Sequence, residues 1–174
     1  MDAAEYLNAL EEAFRKAQDP ERAEQMTAYM RGQYEYYGIL AKPRTDMIRA
    51  HIRDQGLPVD PVEVIELCWE RPQREWQYTG MELAERAHKK GLLKEAMTLF
   101  RFMIANKSWW DTVDYIASNS VGREMERTEH WRPFMEGWLN SGNLWLQRTT
   151  LLFQLKYKDR VDTDWLSYAI VSLK

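Results

Sequence analysis

The chain has 174 residues, with 24 Lys and Arg against 27 Asp and Glu, eight Gly and six Pro. That length holds one domain with a real core or a short stack of repeats. Its 45% hydrophobic content excludes wholesale disorder, and the sparse Gly and Pro exclude a turn-rich all-β fold. No run approaches the ~18 apolar residues of a membrane span. The N-terminus is amphipathic rather than signal-like, and a net charge of −3 argues against a protein that coats nucleic acid through overall charge.

In chain order, Tyr6, Leu7, Leu10 and Phe14 fall on one face of a first helix that ends at Gln18-Asp19-Pro20. Asp19 caps a second helix with Pro20 at its first position, and Asp60-Pro61 repeats the device, with Glu63 placed to complete a capping box. Gly38 and Pro43 bracket a loop, and Arg44–Gln55 reads as a helix stopped by Gly56 and Pro58. Further helices are expected at 60–70, 73–90, 93–105, 108–120, 129–141, 143–158 and 163–174. No alternating strand pattern occurs, so the expected fold is all-α. Cys68, the single cysteine, lies in an apolar run and reads as a buried small hydrophobe. A soluble, non-secreted, cytoplasmic protein is the default expectation.

The helix starts near Gln73, Ser108 and Asn143 are each 35 residues apart and carry Trp76, Trp110 and Trp145 at or near their second position. That period describes stacked helical pairs, a helical-repeat solenoid (an α-α superhelix) with a concave binding face. Three core tryptophans in an ordinary bundle are the alternative. Residues 1–174 are expected to form a single helical-repeat domain, with units near 60–90, 93–120 and 129–158 and a last helix at 163–174. In that last helix Trp165, Leu166, Tyr168, Ile170, Val171 and Leu173 surround most of the circumference. An outermost helix should show one polar face, so the chain reads as truncated at its C-terminus or covered there, and self-association through this helix is a further possibility.

HExxH, P-loop, GxGxxG and GxSxG motifs are all absent from the sequence. His51, His88 and His130 are far apart in polar contexts and read as surface histidines; no metal or organic cofactor is implied. The chemistry-bearing segment is 106–114, Asn-Lys-Ser-Trp-Trp-Asp-Thr-Val-Asp. Ser108 reads as a helix cap, which accounts for Asp111 near the positive helix end. Asp114 lies one turn after Trp110, and an indole beside a carboxylate can stabilise a developing cation. Spacing alone favours the plainer alternative, a solvated Asp beside a core Trp. Arg148, one repeat along, could hold a phosphate through its planar fork, and Lys156 and Lys158 extend its basic character. Residues 143–174 hold Arg148, Lys156, Lys158, Arg160 and Lys174 against Asp159, Asp162 and Asp164, while the remainder of the chain is acidic. An ordinary solvated basic stripe is the alternative.

At 106–114 and 143–158 the chain resembles the AlkD-like DNA alkylation repair glycosylases, with weaker similarity at Ala28–Arg31, Tyr37–Ile39, Pro43 and Trp69–Glu75. The resemblance runs from about residue 5 to 174. It implies a HEAT-like repeat fold that binds double-stranded DNA and hydrolyses the N-glycosidic bond of alkylated purines such as 3-methyladenine and 7-methylguanine. Trp110 and Asp114 match the family's active-site tryptophan and catalytic carboxylate, and Arg148 its backbone-binding arginine. Tyr29, Lys156 and Lys158 join Arg148 as expected DNA contacts. The family continues for further helices that carry a second active-site tryptophan, which Trp165 does not match. A non-catalytic HEAT-like repeat protein binding DNA or a protein partner is the alternative function.

Overall fold

The computed structural model describes residues 2–173. Among them the regular structure is helical, with one isolated parallel β-bridge between Glu35 and Gln73. The expected all-α, helical-repeat class is therefore met. The chain divides into two compact units, the first ending at Leu93 and the second beginning at Lys94.

The first unit contains α1 (Ala3–Lys16), α2 (Pro20–Tyr29), α3 (Ala41–Gln55), α4 (Pro61–Glu70) and α5 (Arg74–Lys89). Asp2 and Glu5 close a capping box on α1, whose buried face is Tyr6, Leu7, Leu10 and Phe14, as its periodicity requires. Asp19 and Asp60 cap α2 and α4; at Asp60 the carboxylate takes the backbone N–H groups of Val62 and Glu63. Helix α3 begins at Ala41, so Pro43 lies within its first turn rather than closing a loop before it. Proline fits there because first-turn N–H groups lack intrahelical acceptors.

Helices α4 and α5 form the most closely packed pair of this unit. A Cβ added at Gly80 would lie 2.7 Å from the Trp69 ring, so only glycine allows that approach. Trp76 is fully buried against Phe14, with ring centroids 5.1 Å apart. Beside it the buried Glu75 carboxylate accepts hydrogen bonds from the backbone of Tyr37, Gly38 and Ile39 at 3.0–3.1 Å. Those bonds fix the segment between α2 and α3, where Gly38 has φ of +87° and any Cβ would strike the Asp19 carbonyl at 2.2 Å.

Two of the three histidines depart from expectation. His51 and His88 are each only 8% exposed, whereas His130 is at the surface. His51 lies edge-on to Tyr6 at 4.6 Å, and desolvation lowers its pKa. Polar neighbours in sequence concealed this: His51 faces inward from α3, whose other faces are largely solvated, whereas His88 lies on α5, which is buried around most of its circumference despite its polar composition. Cys68 is buried as expected, and burial pushes its thiol up to about 12.

The second unit contains α6 (Ala96–Ala105), α7 (Trp110–Tyr115), a π-helical turn (Ile116–Val121), α8 (Gly122–Arg127), α9 (Trp131–Leu139), α10 (Leu144–Leu152), a 3-10 turn (Lys158–Arg160) and α11 (Thr163–Ser172). Helix α10 packs against α6, α7, the π turn, α9 and α11, and so forms the centre of the unit. Phe153 and Trp165 are fully buried, and both contact the ring of Trp131 at 5.2 Å.

Helix boundaries here differ from the sequence reading. The helix expected at 108–120 continues through the π turn to Arg127. The helix expected at 143–158 ends at Leu152. There the Gln154 side chain takes the backbone N–H of Asp162 at 2.7 Å and donates to its carbonyl at 3.3 Å, and Lys158 turns left-handed with φ of +57°. The backbone beyond α10 closes turns instead of helix, Leu155 N–H donating to the Leu152 carbonyl at 3.0 Å and Tyr157 N–H to the Gln154 carbonyl at 2.9 Å, and no local pattern announces the Gln154–Asp162 contact. In α11, Trp165 and Ala169 are buried while Tyr168, Ile170 and Val171 are exposed; residue 174 of the expected helix lies outside the described residues.

Candidate functional site

The N-terminus of α7 is built differently from the sequence expectation. Its cap is Trp109, with no side-chain cap bond, while the Ser108 hydroxyl donates backwards to the Ile104 carbonyl at 2.5 Å. The tryptophan pair divides its roles. Trp109 is half-buried, its ring 5.8 Å from that of Trp145, whereas Trp110 is 41% exposed at the first position of α7. Trp110 is thus not a core tryptophan, unlike its repeat counterpart Trp76.

Asp114, one turn further along α7, is neither simply solvated nor buried. The Arg148 guanidinium donates from Nε to Oδ1 at 2.6 Å and from Nη2 to Oδ2 at 2.7 Å, a bidentate fork between α7 and α10. This hydrogen bond holds the Arg148 pKa above its ordinary value. With side chains 34% and 43% exposed, the pair adds no more than about 1 kcal/mol to stability. Its main consequence is orientation, since the fork fixes the plane of the carboxylate. Nη1 and one Nη2 hydrogen of Arg148 are left over from the fork.

The structure therefore brings Trp110, Asp114 and Arg148 together. Lys156 follows in the same unit, its Nζ donating to Asn119 Oδ1 at 2.5 Å. Lys158 is exposed on the 3-10 turn. Tyr29 is 74% exposed at the last position of α2, in the first unit. Trp165 belongs to the core, donating from Nε1 to the Thr150 carbonyl at 3.0 Å. Among the described residues no cluster of His, Cys, Asp and Glu is arranged to hold a metal ion.

Asn119 was missed in sequence. Its signal was the Ser118-Asn119 pair inside a helix, because both residues favour side-chain bonds to backbone over helical ladders. Ser118 donates to the Asp114 carbonyl at 2.8 Å and Asn119 to the Tyr115 carbonyl at 2.9 Å. The π turn thus begins immediately after the helix that carries Asp114.

A helical-repeat protein presenting an exposed indole beside a guanidinium-oriented carboxylate is the class defined by this fold and site. Residues 10–173 match the family model of the DNA alkylation repair enzymes, and the chain belongs to that family. A solved structure described as a predicted DNA alkylation repair enzyme from Enterococcus faecalis is similar with a TM-score of 0.77 and 27% identity, covering 88% of this chain and 73% of that one. No curated protein sequence matches the chain. Family membership supports a role in DNA repair. No helix among the described residues is long and apolar enough to cross a membrane.

Proposed function

We propose that the protein is a DNA glycosylase that hydrolyses the N-glycosidic bond of alkylated purines, 3-methyladenine and 7-methylguanine among them, in double-stranded DNA. The observation that carries this reading is the Asp114 carboxylate, held by Arg148 through two hydrogen bonds one turn from the exposed Trp110.

Alkylation at a purine ring nitrogen puts positive charge on the base, so the bond to C1′ breaks with its electron pair leaving on the base. The base departs neutral and needs no proton from an acid. Cation character passes to the deoxyribose, where a fixed carboxylate stabilises it and orients water. Water adds to C1′ and loses a proton to Asp114 or solvent, leaving an abasic site. Trp110 offers a ring face to the cationic nucleoside. Arg148 keeps Asp114 in plane with one edge and retains donors for a DNA phosphate. Tyr29, Lys156 and Lys158 are the further candidates for backbone contact, and the cytoplasm is the proposed compartment.

The deciding experiment measures release of methylated purines from alkylated duplex DNA by this chain and by Asp114→Asn. Release that disappears in the variant while duplex binding persists supports the glycosylase. Duplex binding without release in either protein points to a non-catalytic repeat protein.

A further inference from the structure

Glycines occur inside three of the helices, and two of them have a steric reason. At Gly80 a Cβ would stand 2.7 Å from the Trp69 ring, and at Gly122 it would stand 2.3 Å from the Phe153 carbonyl. Gly137, inside α9, has no such neighbour: a Cβ added there meets nothing within 4 Å. Glycine within a helix is less favourable than alanine by about 1 kcal/mol, and no close approach offsets that here.

Beside Gly137 lies a groove of about 760 Å³ between α6 and α9, both in the second unit. Met97 and Phe102 line it from α6, and Phe134 and Trp138 line it from α9. The Phe134 and Trp138 rings are 5.5 Å apart, and Phe134 is 40% exposed. A concavity of this size that leaves aromatic surface in water suits a small molecule. Arg101 is the one charged residue among those lining the groove. It is exposed, and among the described residues no carboxylate pairs with it. Arg132, one turn of α9 away from this face, is by contrast held by Asp162. An unneutralised guanidinium beside aromatic walls is complementary to an apolar body that carries one negative charge.

We propose that the groove between α6 and α9 binds a small aromatic anion, a flat apolar body bearing one carboxylate or sulfonate group. The rings of Phe102 and Phe134 take the apolar body, Gly137 leaves room for it, and Arg101 takes the charge. This site is separate from the candidate glycosylase site, because Trp110, Asp114 and Arg148 stand on α7 and α10.

The test is a titration with anilinonaphthalene sulfonate, followed by the fluorescence of the dye, beside N-phenylnaphthylamine as its neutral counterpart. Wild type should bind one sulfonate dye per chain, saturably. Gly137→Leu puts a side chain into the groove and should abolish binding of both dyes without lowering the melting temperature, because leucine is the better helix former. Phe134→Ala removes a half-exposed ring and should weaken both dyes. Arg101→Gln should weaken the sulfonate by at least about tenfold, the scale of one hydrogen bond to a charged group, and leave the neutral dye unchanged. Absence of saturable sulfonate binding in wild type overturns the proposal. Binding that survives undiminished in Gly137→Leu and Phe134→Ala also overturns it, since the dye would then sit elsewhere, as on the exposed face of α11. Equal affinity of Arg101→Gln and wild type for the sulfonate overturns the anionic class of the ligand.

Discussion

Arg148 grips both oxygens of Asp114 from 34 residues away, at 2.6 and 2.7 Å, so the candidate catalytic carboxylate is held by the next repeat rather than by its own helix. Replacing Arg148 with Lys keeps the charge but removes the fork. Base release should fall at least about tenfold in Arg148→Lys, and by about 100-fold or more in Asp114→Asn, the scale of losing one transition-state charge contact. Single-turnover release of methylated purines checks both. Equal activity of Arg148→Lys and wild type would show that orientation of Asp114 is unimportant.

Trp110 and Trp165 should separate activity from stability. Trp165 is fully buried, so Trp165→Ala should cost about 3–5 kcal/mol. Trp110 is largely outside the core, and Trp110→Ala should change stability by under about 1 kcal/mol while abolishing base release. Urea denaturation alongside the release assay distinguishes the two, and a large stability loss in Trp110→Ala would count against its assignment to the site.

Glu75 satisfies three backbone N–H groups from inside the first unit. Glu75→Ala strands those donors, and the expected loss is about 3 kcal/mol or more, with the residue 37–39 segment exchanging amide protons fastest. Hydrogen exchange followed by mass spectrometry reads this directly.

Gly122 reverses a general rule. Glycine within a helix normally costs about 1 kcal/mol relative to alanine, so Gly122→Ala would ordinarily stabilise. Here a Cβ would stand 2.3 Å from the Phe153 carbonyl, and Gly122→Ala should lower the melting temperature. A rise would mean that the two segments yield easily.

Burial holds the His51 pKa below its ordinary 6.5, so the unfolded chain binds a proton that the folded chain resists. Stability is therefore greatest above that value and declines as pH falls through it toward the lower folded value. The urea midpoint should drop as pH is lowered through about 6.5 in wild type, and that dependence should flatten in His51→Gln. The lowered pKa of Glu11, set first by its hydrogen bond from Arg15, adds a separate loss only below its ordinary 4.5.

Local chemistry made the helices legible. Asp19-Pro20 and Asp60-Pro61 announce helix starts because capping and proline geometry act within a few residues, and the face of α1 follows from period alone. The one-turn spacing of Trp110 and Asp114 was equally visible, since both lie on a single helix. The assignment of chemistry to that pair came through family resemblance, because spacing alone allowed a solvated aspartate and a core tryptophan.

What local pattern could not supply were contacts made across the chain. The bond of Arg148 to Asp114, the pairing of Gln154 with Asp162 beyond the end of α10, the hold of Asn119 on Lys156 and the burial of His51 all depend on which segments meet. Such meetings follow from the summed packing of many side chains rather than from any neighbour in sequence. Helix identity is therefore a short-range property of this protein, while the orientation and charge of its candidate site arise from packing between repeats.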